Sequence, residues 1–182
     1  MAHELTTSYL RDSLTLFRQY KKLTERAMEQ VTDEQLVFVL DGEMNSIAII
    51  VKHLVGNMRS RWTDFLISDG EKPDRKRDTE FENPPATRTD LMNLWEEGWN
   101  CVFRGLDPLS DVELDRTVVI RGEPHSVMQA INRQIAHYSY HCGQIVFLAK
   151  QLQHEKWKSL TVPRGKSEEF NRKVSAKELS QR

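Results

Sequence analysis

Four stretches of the chain repeat apolar residues every three or four positions, the period of an α-helix with one buried face. The first runs from about Glu4 to Glu29. Leu5, Tyr9, Leu16, Tyr20, Leu23 and Ala27 form its stripe, and Leu10, Leu14 and Phe17 widen it. The second opens at Asn45-Ser46, either of which can cap a helix. It carries Ile47, Val51, Leu54, Met58, Trp62 and Phe65 before Ser68-Asp69-Gly70 stops it. The third starts at Thr87 or Thr89, passes Leu91, Leu94, Trp95, Gly98 and Val102, and ends at Gly105 through Asp107-Pro108. The fourth begins near Ser126 and continues to about Gln153, with Val127, Ile131, Gln134, Tyr138, His141, Ile145, Leu148 and Leu152 in an alternating four-three pattern.

The segments between them differ in kind. Thr32 with Gln35 predicts a capped helical turn, and Asp41-Gly42 a loop. The stretch EKPDRKRDTEFENPPATRTD is polar, charged and broken by Pro73, Pro84 and Pro85; it reads as a long crossover, of the kind that lets neighbouring helices run parallel. RTVVIRGEPHSV places β-branched residues beside Arg121-Gly122-Glu123, which predicts a small hairpin or a short strand and turn. After Gln153 no period is sustained. Trp157, Leu160 and Val162 are expected to dock on the bundle, which gives one domain over 1–165 and a mobile tail over 166–182. The fold class expected is all-α, a four-helix bundle.

Composition adds exclusions. The formal net charge of −1 gives no electrostatic reason to expect nucleic acid or an anionic membrane as partner. The N-terminal segment carries Glu4, Arg11 and Asp12 where a signal peptide would be apolar, and no apolar run is long enough for a membrane span. Two widely spaced cysteines, Cys101 and Cys142, make no disulfide framework, so a reducing cytoplasm is the expected location.

The chemistry lies in HYSYHCGQ, residues 137–144. His137 and His141, four apart on one helix, stand one above the other and can grip one metal ion. They are half a site, since a transition-metal site takes three or four protein ligands. The pair alone fits two core-rim histidines satisfied by hydrogen bonds slightly better than it fits a metal site. His53 changes the balance. It sits mid-helix in IAIIVKHLVGNM, on an apolar edge facing the same core. His3 lies near the terminus, His125 at a turn and His154 beyond the last apolar turn. The candidate metal site is therefore His53, His137 and His141.

The segments NSIAIIVKHLVGNM and HSVMQAINRQIAHYSYHCGQIVFLAKQL resemble the DinB-like superfamily of metalloenzymes, which includes bacillithiol S-transferases and mycothiol-dependent maleylpyruvate isomerases. That pattern has one histidine in the second helix and an H-x-x-x-H pair followed by Gly-Gln in the fourth; here these are His53, His137, His141 and Gly143-Gln144. The tail WKSLTVPRGKSEEFN resembles an uncharacterised subgroup. The resemblance spans nearly the whole chain. It implies an up-down-down-up bundle, a divalent metal on three histidines and frequent dimerisation, and it implies no particular substrate.

Three neutral imidazoles leave the ion its charge and at least one open position, which can activate a bound thiol or water. Imidazole suits Zn, Ni, Fe or Cu and does not name the metal. No Asp or Glu falls in register with the histidines on either helix. Asn57, Arg133 and Gln144 stand one turn from the ligand positions; each is either a partner for a ligand or a bound molecule, or an ordinary polar residue at a helix edge. Cys142 points about 100° around the helix from His141 and reads as a buried small residue. The expected function is metal-dependent transfer of a low-molecular-weight thiol, or of water, to a small electrophile. The alternatives are a non-catalytic metal-binding stress protein and a structural dimer with an empty site. A homodimer is expected because the first helix is apolar on more than one face and because Trp95 and Trp99 are not expected to point inward together.

Overall fold

The computed structural model describes residues 5–180; Glu4 and His3 lie outside them. The elements are α1 (Tyr9–Met28), α2 (Asp33–Val37), α3 (Ile47–Trp62), α4 (Arg88–Leu106), a hairpin of β1 (Thr117–Ile120) and β2 (Glu123–Ser126), α5 (Val127–Gln153) and α6 (Ser167–Ser175).

Side-chain caps set the helix starts. Ser8, Ser46, Thr87 and Ser126 each accept a backbone N–H from three residues on, which satisfies one of the orphan donors of a first turn. Ser126 and Gln129 complete a capping box, as do Thr32 and Gln35 at α2. Two boundaries differ from the sequence expectation. α1 begins at Tyr9, because Ser8 caps there, and not near Glu4. α3 ends at Trp62, six residues before Ser68, because Thr63 is extended and Asp64 turns to φ 48°.

Contacts between helix ends fix their directions. Tyr9 donates to Asn132 Oδ1 (2.5 Å) near the starts of α1 and α5, and Gln30 donates to Lys158 O (3.0 Å) just past their ends, so these two helices are parallel. Arg18 pairs with Asp107 at the end of α4 (3.0 Å) and Arg88 at its start donates to Met28 O (2.9 Å), so α4 is antiparallel to α1. α3 runs alongside α4 in the same direction. Their close approach crosses Gly98 and Gly105, where a Cβ would stand 2.9 Å from Val55 Cγ2 and 3.2 Å from Trp62 O. The order is up-down-down-up, and the crossover 63–87 makes the parallel α3–α4 step possible.

The core is aromatic at its centre. Phe17, Trp62, Trp99 and Tyr138 meet edge-on or tilted at 5.6–6.3 Å, and Trp62 Nε1 donates to the Tyr138 hydroxyl (2.9 Å), so neither polar atom is stranded. Trp95 and Trp99 are both fully buried, against the expectation that one would face outward. Four residues on a helix subtend only about 40°, and the two rings pack edge to face at 5.5 Å on the same side.

The hairpin turns at Arg121 (φ 57°) and Gly122 (φ 77°), the two left-handed residues of a tight turn. Asp69 accepts both of their amides (2.8 and 2.7 Å), which ties the hairpin to the crossover. The crossover is more structured than its composition suggests: residues Arg77–Phe81 form a 3-10 turn against α3, with Glu80 buried. Beyond α5, Trp157 and Leu160 pack on the core. The tail expected to be mobile carries α6, none of whose residues is buried.

Candidate metal centre

α3 and α5 face each other with the three histidines between them. Helix geometry explains the placement: His137 and His141 lie one turn apart on α5, while His53 projects from the middle of α3. One ring nitrogen from each lies within 4.8 Å of the others. His53 Nε2 and His137 Nε2 are 3.3 Å apart. Ligands at adjacent positions on an ion with bonds of about 2.0–2.1 Å stand about 3–3.4 Å apart. Among the described residues no fourth His, Cys, Asp or Glu joins this cluster.

The outer ring nitrogens show how two of the rings are aimed. His53 Nδ1 lies 2.8 Å from Glu80 Oε2. Burial raises the carboxyl's pKa, but hydrogen bonds from His53 and Arg75 outweigh it and hold Glu80 below the usual carboxylate range. An ionised carboxylate only accepts, so the proton sits on Nδ1 and the Nε2 lone pair faces the other histidines. His141 Nδ1 donates to Gln144 Oε1 (2.8 Å), which likewise frees its Nε2. His137 Nδ1 is buried with no protein partner.

Electrostatics favour the neutral form of the two α5 histidines. Burial, then the nearness of His141 and His53, lowers the His137 pKa to about 3. Burial and His53 also lower His141, against the upward pull of Gln144. Neutral imidazoles are the form that binds a metal. The converging ring nitrogens and the neutral forms of His137 and His141 fit a divalent transition ion held by His53, His137 and His141.

The neighbouring residues sort as follows. Gln144 is a partner of His141. Asn57 is buried one turn after His53, and its Oδ1 has no protein partner; the same is true of Gln134 Oε1 on α5. Arg133 is exposed on α5 and hydrogen-bonds none of the three histidines. Cys142 is buried, and burial pushes its thiol up to about 11, so it is neither ligand nor nucleophile. Glu80 and Phe81 were not legible as site residues. Both come from the crossover, where no periodicity marks a side chain as inward; Phe81 stacks on the His53 ring at 4.9 Å. One signal was present: Gly56, one turn from His53 in the middle of a helix, which leaves room for Glu80.

Comparison with known proteins agrees with this fold. A family described as "Protein of unknown function (DUF1572)" matches residues 4–166. No curated protein matches the chain. A solved structure of a DinB-like protein from Bacillus cereus ATCC 10987 superposes with a TM-score of 0.63 at 15% identity, covering 81% of this chain and 94% of that one. Likeness at that identity carries the fold and leaves the activity open. The chain thus belongs to the DUF1572 family of proteins of unknown function and has the DinB-like fold.

Proposed function

We propose that this protein binds one divalent transition metal, Zn, Ni or Fe, through His53, His137 and His141 and uses it to transfer a low-molecular-weight thiol to a small electrophile, with water as the alternative nucleophile. The observation that carries the reading is a cluster of three imidazoles with no fourth protein ligand among the described residues. A structural ion is normally closed by four protein ligands, whereas three leave a position for a reactant. The partial exposure of His137 and His141 supports an accessible centre.

A bound ion would supply Lewis acidity, lowering the pKa of a thiol or water placed in its open position. The chain's residues do the rest. Cys142 is buried with a raised pKa and Cys101 lies on α4 outside the histidine cluster, so the attacking sulfur comes from outside the chain. Glu80 is occupied by His53 and Arg75 and offers no free general base. The thiol proton therefore leaves to solvent, the sulfur forms a bond to the electrophilic carbon, and the leaving group departs with the bonding pair.

We also propose a homodimer. Its support is now narrower, because Trp95 and Trp99 are both buried within one chain; what is left is the partly exposed Leu16 and Leu23 on α1. A cytoplasmic location is part of the same proposal; among the described residues no helix is long and apolar enough to cross a membrane.

The test is metal analysis of the purified protein followed by a panel of thiols and electrophiles with the metal-loaded form. One metal per chain and thiol-dependent loss of an electrophile are expected. Metal bound without turnover of any pair would favour the non-catalytic alternative, and no metal would overturn the reading.

A further inference from the structure

We infer that Glu80, clamped by Arg75, is a positioning residue of the metal centre: it fixes the His53 ring through Nδ1 and so sets the affinity of the three-histidine cluster. The inference rests on the metal-binding reading above and concerns a segment, the crossover, that no helical pattern connects to the site.

Four observations converge on this carboxylate. The first is its burial. Both side chains of the His53–Glu80 pair are more than nine-tenths buried, and an ionised carboxylate in that setting is strongly disfavoured unless paired. Arg75 provides the pairing, with Nε 2.8 Å from Oε1 and Nη2 3.0 Å from Oε2; its own side chain is only 5% exposed. A planar guanidinium gripping both oxygens leaves the carboxylate one orientation, with Oε2 toward His53.

The second is Gly56. A mid-helix glycine is unfavourable relative to alanine. Here a Cβ would overlap Glu80 Oε1 and Cδ, so α3 forgoes helix propensity where the carboxylate lies against it.

The third is Lys52, next to His53 in sequence. Its Nζ donates to Thr79 O (2.7 Å) and Glu82 O (2.6 Å), pinning the backbone on both sides of Glu80.

The fourth is the contrast among the three ligands. His141 is oriented by a neutral amide and His137 by no protein group, so His53 alone has a charged partner. A carboxylate behind a ligating imidazole fixes its tautomer and raises its basicity, and loss of such a partner typically weakens metal binding about 10–100-fold. Arg75 also reaches Glu71 (3.4 Å), which holds Arg61 (3.0 Å) and Arg121 (2.9 Å), so the clamp is braced against α3 and the hairpin.

The experiment compares wild type, Glu80→Ala and Glu80→Gln by two readouts: Zn2+ affinity from chelator competition, and the His53 tautomer in the metal-free protein by 15N NMR. Wild type should show Nδ1–H at His53. Glu80→Ala should lose that single tautomer and bind Zn2+ about 10–100-fold more weakly. Glu80→Gln keeps an acceptor oxygen and the volume, so it should recover part of the loss. A purely structural strut would lower the metal-free melting temperature and leave the affinity of the folded protein unchanged. Affinity within about threefold of wild type in folded Glu80→Ala, with the His53 tautomer unchanged, would overturn the inference. If Glu80→Ala does not fold, Glu80→Gln decides, since equal affinity there removes the role of the charge. If wild type binds no Zn2+, the metal-binding reading fails, and the tautomer comparison still judges Glu80.

Discussion

His53 Nε2 and His137 Nε2 lie 3.3 Å apart across the α3–α5 interface, brought together from positions 84 residues apart. Glu80 holds the His53 proton on Nδ1, so the nitrogen facing His137 is an acceptor. If His137 donates to it, the buried Nδ1 of His137 becomes a bare acceptor without a protein partner; if it does not, two lone pairs face each other. A cation bound by both Nε2 atoms would remove that repulsion of lone pairs.

The metal-free protein should lose stability as pH falls through the histidine range. His137 has its folded pKa lowered to about 3, burial being the main cause, while the unfolded chain takes up that proton near pH 6.5. Between these values the unfolded state binds more protons, so the stability is fully present above about pH 6.5 and declines toward about pH 3. Urea midpoints of chelator-treated protein at about pH 7 and pH 5 check the sign. His137→Gln should flatten this slope, and a midpoint that rises on acidification would contradict the assignment.

Tyr138→Phe should destabilise the fold without touching a metal ligand. It removes the acceptor of Trp62 Nε1 in the fully buried aromatic cluster and leaves a stranded donor, at a cost of about 1–3 kcal/mol. For a chain of this size that is a fall of roughly 2–12 °C in melting temperature. A melt unchanged within error would show that the indole N–H finds another partner.

Most of the bundle was legible because its helices are amphipathic and capped. Ser126, Thr87 and Ser46 mark helix starts by a mechanism that depends only on local sequence, and they lie where expected. The His53, His137 and His141 cluster was legible for the same reason, since position on a regular helix determines the face. The crossover was not. Glu80 is buried by Arg75 and Gly56, partners five and twenty-four positions away, and no period predicts such a pairing. Trp99 shows the opposite error: two bulky rings suggested a surplus of apolar surface, yet a core built from Phe17, Trp62 and Tyr138 accommodates both Trp95 and Trp99.

Assembly is a separate expectation. A homodimer formed by helix packing should bury more than about 1,200 Å² in total. Light scattering at micromolar concentration should return about twice the chain mass of 21.3 kDa. A mass of one chain would remove the dimer and leave the metal centre, which is complete within one chain, unaffected.

Chelation should lower the melting temperature at neutral pH and have much less effect at acid pH, where protons displace the metal. Metal that binds only the folded state at a hundredfold above its dissociation constant adds about 2.7 kcal/mol. That increment should vanish in His141→Ala while the bundle itself persists, because its core is made elsewhere.

Calorimetric titration of Zn2+ into metal-free wild type, His53→Ala, His137→Ala and His141→Ala tests the central claim most directly. Wild type should bind one ion per chain, and each variant should fold yet lose more than about 100-fold in affinity, beyond the range typical of an outer partner. Wild-type affinity retained in any one of the three folded variants would show that the three histidines do not form the metal site.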